Sequence, residues 1–351
     1  MLPEKPSLII PIFLPHQGCP HQCAFCNQQK ISGAASGLPS RETLVKEVNR
    51  YLAFGRNKTG PIQIAFYGGN FLGIPFASIR PLLDEAQAFI RAGKVASIRF
   101  STRPDTITPQ SLSRLQTYTV STIELGAQSM DDRILSLSNR GHTAMDTTAA
   151  VARIRQRGLQ LGIQMMTGLP GDEGRQSIET AEQIAELEPD FVRIYPTIVL
   201  AGSPLAAAYK NGDYTPMPLE RSVQLVAQIY SLFTERGIPV IRTGLQASDG
   251  LSDQETVLAG PFHPAYGHLV MSEIFLEAAL KQLRQEKGIT DREVSLLVHE
   301  KDVSKMRGLN NRNIHTLKQM FPVAAIRVVP DPFLSKGQVA LQICREEKTK
   351  A

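Results

Sequence analysis

No apolar run in the 351-residue sequence approaches the roughly 20 residues that a membrane-spanning helix requires, so no membrane partner is expected. The N-terminal MLPEKPSLIIPIFLP pairs a lysine with an apolar stretch, but its prolines and its lack of a small-residue cleavage site argue against a signal peptide. It reads better as a first strand, and a cytoplasmic location is the expectation. Cysteine is scarce, and four residues cannot build a disulfide scaffold. Three of the four crowd into eight residues, which points to metal. The fourth, Cys344, sits in an apolar, strand-like stretch and reads as a buried small residue. Acidic excess is also absent. The net charge is +5, and residues 281–351 hold 14 Lys/Arg against 8 Asp/Glu. A basic tail on a near-neutral body suits either a polyanionic partner or a solvated surface.

What is present is an alternation of apolar runs and helical patterns. Strand-like runs fall near 7–14, 62–67, 96–102, 119–127, 159–166, 190–199 and 238–243. Helical patterns occupy 40–54, 76–92, 108–117, 145–157, 174–187 and 219–236, and Thr108–Pro109 has the form of an N-cap followed by a first-turn proline. Such alternation implies βαβ units and a parallel sheet. The fold class is therefore α/β, a partial or complete TIM-like (β/α) barrel with its site at the C-terminal ends of the strands. A helix near 268–286 precedes a stretch at 294–343 that reads strand, helix, strand, strand. The division expected is a barrel domain over 1–285 and a small basic βαββ domain over 286–351. Residues 245–267, rich in Gly and Pro and carrying His263, read as a long loop that reaches to His268.

The segment GCPHQCAFCNQ sets Cys19, Cys23 and Cys26 in a C-x3-C-x2-C spacing directly after the first strand. Thiolates are the usual ligands of iron–sulfur clusters, and three of them leave one iron open to a small molecule. Zinc is the alternative, as a Cys3His site recruiting His16 or His21.

The cysteine motif, with Phe25 between its last two cysteines, resembles the signature of the radical S-adenosylmethionine (SAM) superfamily. Further blocks follow in order: FYGGNF, STRPD, ELGAQS, SNRGHT, GIQMMTGLPGD and RIYPTIVLAGSPL. The series resembles the radical-SAM catalytic subunit of Elongator, and more distantly oxygen-independent coproporphyrinogen III oxidase. The resemblance implies a [4Fe–4S] cluster on the three cysteines and SAM as second cofactor. It also implies a reductant such as flavodoxin or ferredoxin, and tRNA as a partner. SAM contacts carried over by position are Phe25 beside the adenine, Gly68, Gly69 and Asn70 after the second strand, then Ser101, Gln128, Arg140 and Gln164. Tyr195, at the end of the sixth strand, is the candidate catalytic residue, while His142 leans structural. A small-molecule or protein substrate is the alternative to tRNA. Elongator's subunit continues into an acetyltransferase domain for which 351 residues are expected to leave no room. The radical chemistry would then serve another substrate or be completed by a partner.

Overall fold

The computed structural model describes residues 8–28, 37–54, 60–245 and 255–343. Cys344 lies outside the described residues. The chain forms two compact units, one of residues 1–218 and 232–262, the other of residues 219–231 and 263–351.

In the first unit seven parallel strands stand side by side. In chain order they are β1 (Leu8–Leu14), β2 (Ile62–Gly68), β3 (Ser97–Thr102), β4 (Val120–Gln128), β5 (Gln160–Thr167), β6 (Phe191–Pro196) and β8 (Val240–Thr243). Among the described residues neither β1 nor β8 has a second partner, so the sheet is an open, partial barrel. The helices between strands are α1 (Arg41–Phe54), α2 (Phe76–Arg91), α3 (Pro109–Ser113), α4 (Asp132–Leu137), α5 (Ala144–Arg155) and α6 (Arg175–Glu186). Of these, α1 packs on β1, α2 on β3, α5 on β4 and β5, and α6 on β5.

Successive strand side chains point to opposite faces, and β1 alternates in burial accordingly. Ile10, Ile12, Ile64, Phe66, Ile98, Phe100, Ile123, Leu125, Ile163 and Ile194 are buried. Burying each such side chain contributes about 1.5–3 kcal/mol relative to leaving it in water. Phe71, just after β2, stacks between Phe66 and Phe100 with ring centroids 5.0 and 4.6 Å apart. That stack fixes the chain immediately after the paired glycines. The residues in between, on the opposite face, are largely polar: Gln63, Tyr67, Arg99, Ser101, Glu124, Gln164, Arg193 and Tyr195. A barrel interior built as packed core would instead carry branched apolar side chains.

Thr108 caps α3 through a reciprocal pair of bonds with Ser111, at 3.0 and 2.9 Å, but the helix ends at Ser113. Besides the short helix α4, two features of the first unit escape the sequence pattern. One is α7 (Pro204–Asn211), capped by Ser203. The other is an antiparallel ribbon of β7 (Val199–Leu200) and β9 (Val257–Ala259), which breaks up the long loop expected at 245–267. Helix α8 (Leu219–Glu235) contributes residues to both units.

In the second unit, α9 (Tyr266–Gln285) is followed by β10 (Glu293–Val298), α10 (Val303–Arg307), α11 (Arg312–Met320), β11 (Ala325–Pro330) and β12 (Val339–Ile343). The strands stand in the order β11-β10-β12, with β10 parallel to β11 and antiparallel to β12. Phe275, Ala279 and Leu283 of α9 join Val294, Leu296, Met306 and Leu317 in its core. His268 is not in a loop but in the first turn of α9. In the basic segment KMRGLNNRN, Asn313 is buried and donates to Ser272 O at 2.8 Å. Lys305 and Arg312 pair with Asp302 and Glu220, which leaves Arg307 as the segment's other exposed cation. No helix among the described residues is long and apolar enough to cross a membrane.

Candidate active site

The loop of residues 15–28 hangs from the C-terminal end of β1 and is pinned on three sides. Gly69 N donates to Leu14 O at 2.8 Å and Asn70 N to Gln17 O at 2.7 Å. A Cβ on Gly69 would overlap the carbonyl oxygen of Gln17, so only glycine lets these two backbones meet. On a second side, Ala24 N donates to Ser138 O at 3.0 Å and Asn139 Nδ2 to Gln22 O at 2.8 Å. On the third, Asn27 Nδ2 donates to Ala201 O at 2.7 Å, and Leu205 N to Ala24 O at 2.8 Å. Gln28 closes the loop on itself, taking a bond from His16 N, giving one to His16 Nε2 and reaching Gly68 O at 2.6 Å.

Two of the three thiols on this loop, Cys19 and Cys26, resist losing their protons. Burial, reinforced by Cys23 and Cys19, pushes the Cys26 thiol up to about 12, and burial with Cys23 raises Cys19. A bound cation reverses that preference, because metal ligation removes the thiol protons. Arg140 meets the loop from the other side, with Nη1 3.1 Å from Cys23 Sγ and Nη2 2.6 Å from Gly126 O. Its Nε is buried without a partner. The donor set fits a cluster better than a four-ligand ion. His16 Nε2 already accepts from Gln28, and the His21 ring lies against Gly141.

The expected SAM contacts divide into two groups. The first group holds the loop in place. Asn70 is fully buried: Nδ2 donates to Gly18 O, and Oδ1 accepts from Thr102 Oγ1, Arg103 N and Thr106 Oγ1. Phe25 packs with Tyr214 and Leu258 against Val199, Leu205 and Ala206, which ties the loop to the β7–α7 segment. The second group faces the polar side of the sheet. Ser101 lies opposite Glu124 in register, and Gln164 opposite Gly126 and Arg193. Gln164 Nε2 donates to Gln128 Oε1 at 3.2 Å. Gln128 is buried and takes a left-handed φ of 70°. His16 and Asn139 are also left-handed, at 56° and 52°. Strained non-glycine backbone of this kind concentrates at functional sites.

His142 is held neutral. Burial, together with Arg140 and Arg103, lowers its pKa to about 4, while Nε2 lies 3.2 Å from Ala127 O. The folded value lies below the unfolded 6.5, so between those pH values the unfolded chain takes up the proton in preference. Stability is therefore expected to fall as pH drops from about 6.5 to about 4. H142Q should flatten that slope in urea midpoints measured across the window, whereas an unchanged slope would assign the acid sensitivity elsewhere.

An ion cluster forms on the polar face, for which the sequence blocks assigned no role although Tyr67, Glu124 and Arg193 lie within them. Glu124 Oε1 accepts from Tyr67 Oη at 2.7 Å and from Arg99 Nε and Nη2 at 3.0 and 2.5 Å. Arg193 Nε stands 2.8 Å from Oε2, and Nη2 donates to Oε1 at 3.1 Å. Arg99, Tyr67 and Arg193 lie 25, 57 and 69 positions from Glu124 in sequence, and only strand pairing brings them together. A Cβ on Gly162 would overlap the Phe191 ring and crowd Glu124 Cγ at 3.1 Å, so this glycine admits both side chains.

Residues 13–184 match the radical SAM superfamily, and residues 189–275 match the radical SAM C-terminal domain. The chain belongs to the radical SAM superfamily. A tRNA uridine(34) acetyltransferase of Dehalococcoides mccartyi is 24% identical over 275 residues, covering 67% of this chain and 60% of that protein. Elongator complex protein 3 of Saccharomyces cerevisiae is 31% identical over 156 residues, 43% of this chain and 28% of that one. The chain thus spans less than two thirds of the length of either relative. The structure of archaeal Methanocaldococcus infernus Elp3 with an N-terminal deletion matches with a TM-score of 0.60 at 19% identity. That match covers 82% of this chain and 66% of the other, and shows a shared fold. As a radical SAM protein the chain is an enzyme, and its superfamily works with SAM and an iron–sulfur cluster.

Proposed function

We propose that this radical SAM enzyme carries a [4Fe–4S] cluster on Cys19, Cys23 and Cys26 and acts on tRNA. The observation that carries the first part is the three-sided pinning of a loop bearing three thiols, with Arg140 on the most buried of them. When bound, the cluster and SAM supply one-electron cleavage to a 5′-deoxyadenosyl radical, which takes a hydrogen atom from the substrate; flavodoxin or ferredoxin supplies the electron. The chain's own part is to hold and orient. Asn70, Gly69 and Phe25 fix the loop, and Arg140 sets a positive charge against the sulfurs. Gln128, Gln164 and Ser101 offer polar groups to SAM along the strand ends. Tyr195, on the same face of β6 as Arg193, stands where substrate would lie.

Two features support tRNA: the relatives named for tRNA uridine and Elongator, and the cationic balance of residues 281–351. The test is 5′-deoxyadenosine formation by the anaerobically reduced protein with SAM, with and without tRNA. Stimulation by tRNA is expected, with tRNA affinity falling at least about tenfold between 50 and 200 mM salt, as phosphate contacts demand. Formation that ignores tRNA, with binding no stronger than that of a neutral control protein, would remove the tRNA reading and favour a small molecule or protein. No 5′-deoxyadenosine under any condition would remove the first part as well.

A further inference from the structure

The polar face of the sheet carries more positive charge than its fold needs. At its lower end side chains satisfy one another. Gln63 Nε2 bonds Ser97 and Ser121 at 2.9 Å each, and Thr122 donates to Gln160 Oε1. Arg99 sits on this layer, giving Nη1 to Gln63 Oε1 at 3.1 Å and two donors to Glu124, with its guanidinium over the Phe191 ring at 5.3 Å. That pair alone is neutral and almost wholly buried, at 7% and 5% side-chain exposure.

Arg193 is then a second cation on one carboxylate, and among the described residues Glu124 is the only acid paired with either arginine. Desolvating a guanidinium without a counter-charge is costly, so a purely structural pair has no use for it. Its placement differs from that of Arg99. It is 15% exposed and lies across the face of Tyr67 at 5.2 Å. Nε, although close to Glu124 Oε2, is misaligned and makes no hydrogen bond. Nη2 is committed to Glu124 Oε1 and Tyr67 Oη, at 3.1 and 3.0 Å, whereas Nη1 reaches only Tyr195 Oη, at a loose 3.5 Å. Tyr195 follows two residues on, toward the strand ends that bear the cysteine loop. A guanidinium nitrogen left with one loose bond beside a phenol, the rest of the group held by Glu124 and Tyr67, suits an anion.

We propose that Arg193, with Tyr195 beside it, receives an anionic group of the substrate, a carboxylate or a phosphate, on the polar face of the sheet. This rests on the reading of that face as the substrate side of a radical SAM site. Nη1 of Arg193 gives the anion its N–H groups, the tyrosine hydroxyl adds a donor, and Glu124 and Tyr67 hold the rest of the guanidinium in place.

The test needs neither SAM nor a reductant, so its outcome is independent of 5′-deoxyadenosine formation. Thermal unfolding of the wild-type protein, R193Q, R193K and Y195F is followed against inorganic phosphate and against succinate, with chloride at matched ionic strength as reference. A ligand that binds only the folded state raises the midpoint in a saturable way. Saturable stabilisation of the wild type by one anion is expected, and which one responds separates phosphate from carboxylate. In R193Q the apparent affinity should weaken at least about tenfold, with partial recovery in R193K, as expected for a charge-assisted contact. Y195F should weaken it by a smaller factor. Equal stabilisation of R193Q, or a wild type that responds to neither anion beyond chloride, overturns the proposal; the wild-type response decides even where a variant fails to fold. A protein that forms 5′-deoxyadenosine but ignores both anions keeps its radical chemistry and loses only this subsite.

Discussion

C23A is expected to abolish 5′-deoxyadenosine formation and the iron–sulfur absorbance together, while leaving the fold in place. Cys23 is the buried thiol of the three, and Arg140 Nη1 approaches its sulfur at 3.1 Å. Loss of an outer-shell partner of a metal typically costs about 10–100-fold, so loss of a ligand should exceed about 100-fold. The loop should survive, because its shape depends on other groups. Backbone bonds from Gly69, Asn70, Ala24 and Leu205 hold it, together with the side chains of Asn70, Asn27 and Asn139. The urea midpoint of the cluster-free protein should therefore move little. C19A and C26A should behave alike, whereas R140A should retain a cluster but lose activity by the smaller, outer-shell factor. Paired measurements of iron content and SAM cleavage would check this ordering. A variant C23A that cleaves SAM at the wild-type rate contradicts it.

The largest effect on stability is expected from E124A. Removing this carboxylate leaves Arg99 and Arg193 facing each other in a desolvated layer, and breaking a buried pair in this way costs about 3–5 kcal/mol. Tyr67 loses its acceptor as well; burial, with the Glu124 charge next, already keeps its phenol protonated and raises its pKa. The loss should appear as a lower urea midpoint without a change in slope, since little surface is added to the unfolded chain. The coupling is also testable. In E124A/R193Q one of the two stranded cations is gone, so the double variant should be less destabilised than the single losses summed. Additive losses would show that the two side chains do not share the layer.

Much of the barrel was legible in the sequence because apolar runs of strand length alternate with helical patterns. The apolar run at 7–14 reads as a strand, and β1 runs there, over Leu8–Leu14. Seven strands interleaved with helices implied the parallel order that the register confirms. Short elements were missed for a physical reason. The two-residue strand β7 and the six-residue helix α4 are set by contacts and caps, such as Asp131 accepting from Arg133 N and Ile134 N, rather than by periodicity.

At the site, the cysteine spacing showed which thiols share a loop, and the ordered glycine, glutamine and arginine blocks pointed to the residues around it. The division of labour among them was not legible. Asn70 and Phe25 read as groups facing a ligand, yet their side chains are engaged in bonds and packing that fix the loop. Nor was the Glu124 cluster visible, since Arg99, Glu124 and Arg193 meet only after four strands, β3 to β6, are laid side by side. Each looked like an isolated charge inside an apolar run. In retrospect that was the signal, because a charge on alternate positions of a barrel strand marks a polar interior.

The central claim is that Cys19, Cys23 and Cys26 hold a redox cluster rather than a structural ion. Iron and acid-labile sulfide, measured together on protein purified without oxygen, test it most directly. The expected result is iron and sulfide in equal amounts, about four of each per chain as a [4Fe–4S] cluster requires, and both lost in C23A. Zinc without sulfide would contradict the account.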